Sequence, residues 1–292
     1  MSIRYIKEDA LPAGAVQELG RPGGPRLRRI RAGNAGPFTF LGTNSYLLGE
    51  HEVTLLDPGP EDAAHRDAIL RALGDERITR ILVSHTHRDH SGGVAALQAA
   101  TGAPSHGFGR HRVPEGGDQD FTPDHRLADG DSVAGEGWSL TALHTPGHCG
   151  THLCFALEGE GVLFSGDHVM SWSTSIVSPP DGDMAEYMAS LERLLRRDDR
   201  LYLPGHGAPL PDPMPFTRTM LEHRQRREEG VLEVLGRHGP ATVEELVPFL
   251  YLGLDARLRP AAARSLLAHL LKLAGQGEAE LAPDGAWRAL PG

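Results

Sequence analysis

The segment His85-Thr86-His87-Arg88-Asp89-His90 places three imidazoles and a carboxylate within six residues. Clustered imidazole nitrogens and carboxylate oxygens bind zinc, and iron or manganese less selectively. Ahead of them, Ile78, Ile81, Leu82 and Val83 carry the β-branched and apolar weight of a strand. Behind them, Ser91-Gly92-Gly93 leads into Val94, Ala95, Ala96 and Leu97, which reads as the opening of a helix. The cluster therefore sits on a loop at the C-terminal end of a strand, where open α/β sheets keep their sites. A solvated loop with scattered histidines is the plain alternative, and the density of the run weighs against it.

Three further strand ends deliver the same residue types: His148 follows Trp138 to Leu143, Asp167 follows Gly161 to Ser165, and His206 follows Leu201 to Leu203. Together the chain offers seven candidate ligands: His85, His87, Asp89, His90, His148, Asp167 and His206. They suffice for two metal ions, one on His85, His87 and His148, a second on Asp89, His90 and His206, with Asp167 bridging. Ions about 3.5–4 Å apart share a hydroxide, because they lower the pKa of water from about 15.7 toward about 7, and they polarise a carbonyl or phosphoryl oxygen. Asp89 is also the catalytic candidate, with a free oxygen to orient that hydroxide. No Ser-His-Asp motif, phosphate-cradling glycine loop or dinucleotide fingerprint competes. Asp57, at another strand end, is either a turn or helix-cap residue or a support for the ligand loop.

Other histidines are weighed individually. His144 is expected to be a turn residue, and His106, His111 and His125 to lie on the surface. His152 and His168 are open between a structural role and one in substrate contact or proton transfer. Trp172-Ser173-Thr174-Ser175 is either cleft lining or ordinary loop. Cys149 follows His148 without replacing it, so an all-N/O site is expected, with Cys149 and Cys154 buried and reduced.

The elements needed to hold these residues alternate between strands and helices, which implies helices layered on sheet. Glu61 to Leu73 and Met184 to Leu195 read as amphipathic helices, and residues 44–48 and 53–56 as a hairpin. Residues 102–137 read as a long loop over the site or a short meander. Arg26 to Arg31 reads as an edge strand with one solvated face, or else as a contact for an anionic substrate. Gly20 to Pro25 is a loop. The Pro-rich stretch 208–215 suggests a boundary, dividing the chain into 1–213 and 214–292. Beyond it come a charged helix from Phe216 to Leu235, a capping box at Thr242-Val243-Glu244-Glu245, a helix from Arg257 to Leu273 and a hairpin across Pro283-Asp284-Gly285. Three helices and a hairpin make a winged helix.

The chain has 292 residues, 39% of them hydrophobic, which is enough for one large and one small domain. No apolar run reaches membrane-spanning length, and the N-terminal stretch has no signal-peptide character. Two cysteines exclude a disulfide scaffold, and a reducing cytoplasm is the simplest compartment. A net charge of −10 argues against nonspecific nucleic-acid or membrane binding. The region 219–292 holds nine basic and ten acidic residues, a weak footprint for nucleic acid, although Arg257 and Arg264 share a helical side.

The run His85 to His90, followed in order by His148, Asp167 and His206 and preceded by Asp57, resembles the metallo-β-lactamase superfamily over roughly residues 30–207. The resemblance implies an α/β fold, an αββα sandwich of two mixed sheets between helices, with a dimetal site at one edge. Gly42-Thr43-Asn44-Ser45-Tyr46, His144 to His148, Phe164 to Asp167, Pro204 to Gly207 and His223-Arg224-Gln225-Arg226-Arg227-Glu228 further resemble the β-lactamase-like protein 2 group. That group carries a C-terminal winged helix, and its best-known members are implicated in cleaving single-stranded RNA. Some of its members carry Asp or Asn at the position of Thr151. The expected activity is hydrolysis of a small ester, thioester or lactone by a dinuclear zinc enzyme. An endoribonuclease acting on single-stranded RNA is the alternative, and a non-catalytic scaffold is the weakest reading. The winged helix is expected to close over or beside the cleft, or to form a homodimer contact.

Overall fold

The computed structural model describes residues 3–20 and 23–291. Met1 and Ser2 of the N-terminal stretch, Arg21 and Pro22 of the Gly/Pro-rich loop, and Gly292 lie outside the described residues.

The strands β1 (Val16–Glu18), β2 (Leu27–Arg31), β3 (Asn44–Leu48) and β4 (Glu52–Leu56) run as an antiparallel meander. After α1 (Ala63–Leu73) comes β5 (Arg77–Leu82), then α2 (Arg88–Ser91) and α3 (Val94–Thr101), then β6 (Ser105–Gly107) and β7 (His125–Arg126). These seven strands form one sheet in chain order, parallel from β4 onward. The second sheet holds β8 (Ser132–Gly135), β9 (Trp138–His144), β10 (Leu153–Leu157) and β11 (Val162–Gly166), and, after α4 (Met184–Leu194), β12 (Leu201–Pro204) and β13 (Leu210–Pro211). Its order is β13-β12-β11-β10-β9-β8, with only β11 and β12 parallel.

The alternation of side chains along each strand builds the layers. Tyr46, Leu48, Leu56 and Leu82 face Leu140, Leu153, Phe155 and Phe164 in a core between the sheets. From the opposite face of the first sheet, Leu47, Val53, Leu55 and Ile81 pack on Ile69, Leu73, Val94 and Leu97. Cys154, Ala156, Leu163 and Tyr202 pack on Tyr187, Met188 and Leu191 of α4. The result is the expected αββα sandwich.

The C-terminal part is the winged helix: α5 (Pro213–His238), α6 (Val243–Leu250), a 3₁₀ turn at Ala256–Leu258, α7 (Arg259–Gly275) and the hairpin β14 (Ala279–Leu281) with β15 (Trp287–Ala289). The capping box at Thr242 and Glu245 forms as expected. Ala268 of α7 is buried in the same core as Tyr187, Met188 and Met220, so the winged helix packs directly on α4. The Pro-rich stretch is not a loose linker, because β13 pairs with β12 and α5 starts at Pro213.

Two expectations need correction. Residues 102–137 are neither one long loop nor a meander: they hold β6, β7 and β8, but β7 runs parallel to β6 and β8 belongs to the second sheet. β2 is neither an edge nor half-solvated: β1 and β3 flank it, and all five of its residues are buried. Arg28 ion-pairs with Glu76 at 2.6 Å and donates to the carbonyl of Ala72. Arg29 ion-pairs with Asp9 at 2.7 Å and donates to the carbonyl of Gly207. Buried guanidinium groups persist only when paired and hydrogen-bonded in this way, and neither is left for a substrate. Glu76→Ala would strand the buried Arg28 charge. We expect a loss of about 3 kcal/mol in urea unfolding, against less than about 1 kcal/mol for truncating the exposed Glu52.

Candidate metal centre

All the candidate ligands come from strand C-terminal ends at one edge of the sandwich. β5 leads to His85, His87, Asp89 and His90, β9 to His148, β11 to Asp167 and β12 to His206. The structure brings them together in groups whose donor atoms lie within 4.8 Å of one another: His85, His148 and Asp167 in one, and Asp89, His90 and His206 in another. His87 Nδ1 is 2.9 Å from His85 Nε2 and 3.0 Å from His148 Nε2. Two nitrogens on one tetrahedral zinc would stand about 3.3 Å apart, so this spacing fits a shared ion. Asp167 lies between the groups, with Oδ1 3.4 Å from His90 Nε2 and Oδ2 3.4 Å from His206 Nε2 and 3.7 Å from His148 Nε2.

Bonds on the outer nitrogens turn the inner lone pairs toward the centre. His148 Nδ1 donates to the Ile176 carbonyl at 2.6 Å. The Ser84 hydroxyl donates to Asp57 Oδ2 at 2.7 Å, so it accepts from His85 Nδ1 at 2.9 Å, and His85 Nε2 is left bare. His90 Nδ1 donates to the same Asp57 oxygen at 2.9 Å. Asp57 is thus a support for the ligand loop, holding Ser84 and His90 from behind, and it does so in the left-handed region at φ 50°. Asp167 Oδ1 is buried without a hydrogen bond, as an oxygen reserved for a cation would be. A Cβ at Gly205 would stand 2.5 Å from that oxygen and 2.6 Å from His90 Cε1, so only glycine leaves room there.

The electrostatics divide the site. Burial, helped by neighbouring imidazoles, pushes His85 well below the ordinary histidine value and His87 down to about 3. Burial alone would do the same to His90 and His206. The carboxylates reverse it: Asp167, Asp89 and Asp57 hold His90 well above its ordinary value, and Asp167 and Asp89 raise His206 to about 9. Asp167 and Asp89 are themselves held below the usual carboxylate range, because His90 and His206 outweigh the cost of burial. Positive charge is therefore favoured between the two carboxylates, and neutral lone pairs are favoured at His85 and His87. Both are what divalent cations require of such a donor set.

Residues 42–46 anchor the last ligand loop. The Gly42 carbonyl is 3.4 Å from His206 Nδ1, Asn44 N–H donates to the Gly205 carbonyl, and the Tyr46 hydroxyl donates to the Pro204 carbonyl. Beside the ligands lies a cavity of about 700 Å³, lined by His87, Asp89, His148, Asp167 and His206 at its base. Its walls are Pro37, Phe38, Met170, Ile176, Leu258, Pro260 and Ala261, with Asp255, Arg257 and Arg264 also contributed by the winged helix. The winged helix stands beside the cleft, as expected.

With this geometry in hand, the chain can be compared with known proteins. The metallo-β-lactamase superfamily profile matches residues 38–206, and that of the β-lactamase-associated winged helix domain matches 242–287. The chain belongs to the metallo-β-lactamase superfamily. An atrochrysone carboxyl ACP thioesterase of Aspergillus terreus is 33% identical over 289 residues, covering 93% of this chain and 86% of the relative. A β-lactamase-like protein 2 homolog of Drosophila melanogaster is 32% identical over 268 residues, covering 86% of this chain and 88% of the relative. A β-lactamase domain protein from Burkholderia ambifaria superposes with a TM-score of 0.82 at 26% identity, covering 99% of this chain and 97% of the other. This chain is a metallo-β-lactamase-fold hydrolase, and the scaffold reading falls.

Within this hydrolase the secondary candidates separate. His144 is not the expected turn residue: it ends β9, where it pairs with Leu153, and it stacks on Phe108. His152 Nε2 accepts the Asp167 N–H at 3.1 Å, a structural bond to a candidate ligand. His168 is fully buried against Tyr187 and does not reach the cavity. Ser173 and Thr174 do not line the cavity either, whereas Ser175 is buried and donates to the Asp167 and His168 carbonyls. Thr151 sits 2.9 Å from the Thr86 hydroxyl, so it supports the ligand loop. His111 is not a surface histidine: its side chain is 1% exposed and its Nδ1 meets Thr86 Oγ1 at 2.8 Å. The ligand loop, arriving from a distant part of the chain, covers it. Cys149 is buried as expected, but its thiol shares a 4.8 Å group with His85 and His87, which the sequence spacing did not suggest. Asp57→Ala is expected to weaken metal binding by about 10- to 100-fold in chelator competition, with the far-ultraviolet circular dichroism unchanged.

Proposed function

We propose that this enzyme hydrolyses the thioester or ester of a small, largely apolar acyl group, with two metal ions on the seven ligands. Zinc is the first metal to test, ahead of iron and manganese. The observation that carries this reading is the largely apolar cleft that opens onto the candidate ligand cluster. Thioesterase names among the relatives support the same bond type. Single-stranded RNA fits less well, because Arg257 and Arg264 are the only lysine or arginine side chains among the described residues that line the cavity.

When bound, the ion pair would acidify a water molecule and polarise the substrate carbonyl. His85, His87 and His148 would hold one ion, Asp89, His90 and His206 the other, and Asp167 would span them. Asp89 is the most exposed of the carboxylates there, with 28% of its side chain accessible. It can therefore accept a hydrogen bond from the attacking water and orient it toward the acyl carbon. Phe38, Met170, Ile176 and Leu258 hold the acyl chain and exclude bulk water. Water adds at the carbonyl carbon, the C–S or C–O bond breaks, and the thiol or alcohol leaves with a proton.

The test pairs short-chain acyl thioesters and esters with a labelled unstructured RNA, each offered to zinc-, iron- or manganese-loaded protein. Chelation should abolish thioester hydrolysis and zinc should restore it, while Asp89→Ala lowers kcat/KM by about 100-fold or more. RNA cleavage that depends on Asp89, with no thioester or ester hydrolysed, would replace this reading with the nuclease.

A further inference from the structure

Arg264 projects from α7 of the winged helix and lines two cavities at once. One is the apolar cavity described above. The other, of about 290 Å³, lies on the far side of His87 and His148, against Pro179, Pro180 and Asp181. Both are lined by His87 and His148, so the exposed Arg264 stands beside the candidate ligands in each. Among the described residues it has neither a hydrogen-bond nor an ion-pair partner. Arg257, the other cation in the large cavity, is already neutralised by Asp255 at 2.7 Å. The neighbouring carboxylates are also engaged: Asp89 and Asp167 face His90 and His206, and Asp181 accepts the Gly150 N–H at 3.1 Å. Glu115 lies at the rim of the smaller cavity and makes no pair with Arg264. An unpaired guanidinium beside apolar walls is a strong, directional site for an oxyanion. Packing of α7 on α4 through Ala268 fixes its position relative to the ligands.

We propose that Arg264 is a specificity-determining residue, through which the winged helix selects substrates carrying an anionic group, carboxylate or phosphate, a short distance from the scissile bond. This rests on the hydrolase reading above. The anion could belong to the acyl part or to the leaving group, and two matched pairs separate these sources. Glutaryl and pentanoyl N-acetylcysteamine thioesters differ by a terminal carboxylate on the acyl side. The pentanoyl thioesters of 2-mercaptoethyl phosphate and of 2-mercaptoethyl methyl ether differ by a phosphate on the leaving group. Wild type should prefer the anionic member of one pair. Arg264→Ala should reduce that kcat/KM ratio by about tenfold or more, the size of one lost charge-assisted hydrogen bond, and do so through KM. Arg264→Lys should fall between, and Arg264→Glu should invert the preference. Arg259→Ala, on the same helix but lining neither cavity, should keep the wild-type ratio. Thioether analogues of the four substrates, titrated calorimetrically into metal-free protein, should show the same contrast in Kd. Ratios unmoved by both Arg264→Ala and Arg264→Glu, in turnover and in Kd, would overturn the proposal and leave the hydrolase reading standing. Turnover of none of the four, with the Kd contrast present, would instead overturn the hydrolase reading and keep Arg264 as an anion site.

Discussion

The site depends on one buried carboxylate that faces no substrate. Asp57 ends β4 and accepts three hydrogen bonds, from the Ser84 N–H, the Ser84 hydroxyl and His90 Nδ1. Those bonds clamp the loop after β5 to the end of β4. They also set the tautomers of His85 and His90, because Ser84 spends its only proton on Asp57. Ordinary L-residues avoid φ near +50°, and an observed outlier of this kind marks a place where the surroundings overrule local preference. Here the surroundings are the donors that the ligand loop needs fixed. Helix and sheet packing bring the strand ends to one edge, but Asp57 decides which way two of the imidazoles face.

A second chain of bonds links the ligands to the winged helix. Arg224 of α5 is buried, donates to the Ser175 carbonyl and lies 5.2 Å from the centre of the Tyr187 ring. Ser175 in turn donates to the carbonyl of Asp167, and the Tyr187 hydroxyl to that of His168. Glu228, four residues on from Arg224, is fixed by Lys272 at 2.8 Å and His269 at 3.1 Å, both on α7. Burial would raise the Glu228 carboxyl, and those two donors outweigh it and hold it low. The segment His223 to Glu228 is therefore a joint. One side of it steadies the loop after Asp167, and the other holds the helix that carries Arg264. Arg224 and Glu228 of this run are buried and bonded within the protein, whereas Arg226 stays exposed.

The candidate ligands could be picked out in the sequence because each imidazole or carboxylate stands in the segment after an apolar strand, and a strand end is a local pattern. The same holds for the capping box at Thr242 and for the winged-helix hairpin. What escaped the sequence depends on partners far apart in the chain. Arg28 and Arg29 look solvated until Glu76 and Asp9 are brought against them. His111 looks like a loop histidine until Thr86 reaches it from the ligand loop. Ser175, singled out with its neighbours as cleft lining or ordinary loop, does not line the cavity, and its hydroxyl donates to the Asp167 carbonyl. Period and composition report which face of an element is apolar, but they carry no information on which distant charge will neutralise a buried one.

This division also separates chemistry from selectivity. The seven candidate ligands, their supports at Asp57, Ile176 and Gly42, and the glycine at 205 form one cluster suited to cations. The walls that could distinguish one acyl group from another come from the loops around Pro37 and Ile176 and from the stretch Asp255 to Arg264. The first two are tied to the sandwich, Ile176 through the hydrogen bond its carbonyl accepts from His148. The stretch from Asp255 belongs to a separate folding motif, whose helix can change on its outer face without disturbing a ligand. A winged helix attached in this way lets one wall of the cavity vary while the strand ends that carry the candidate ligands remain in place.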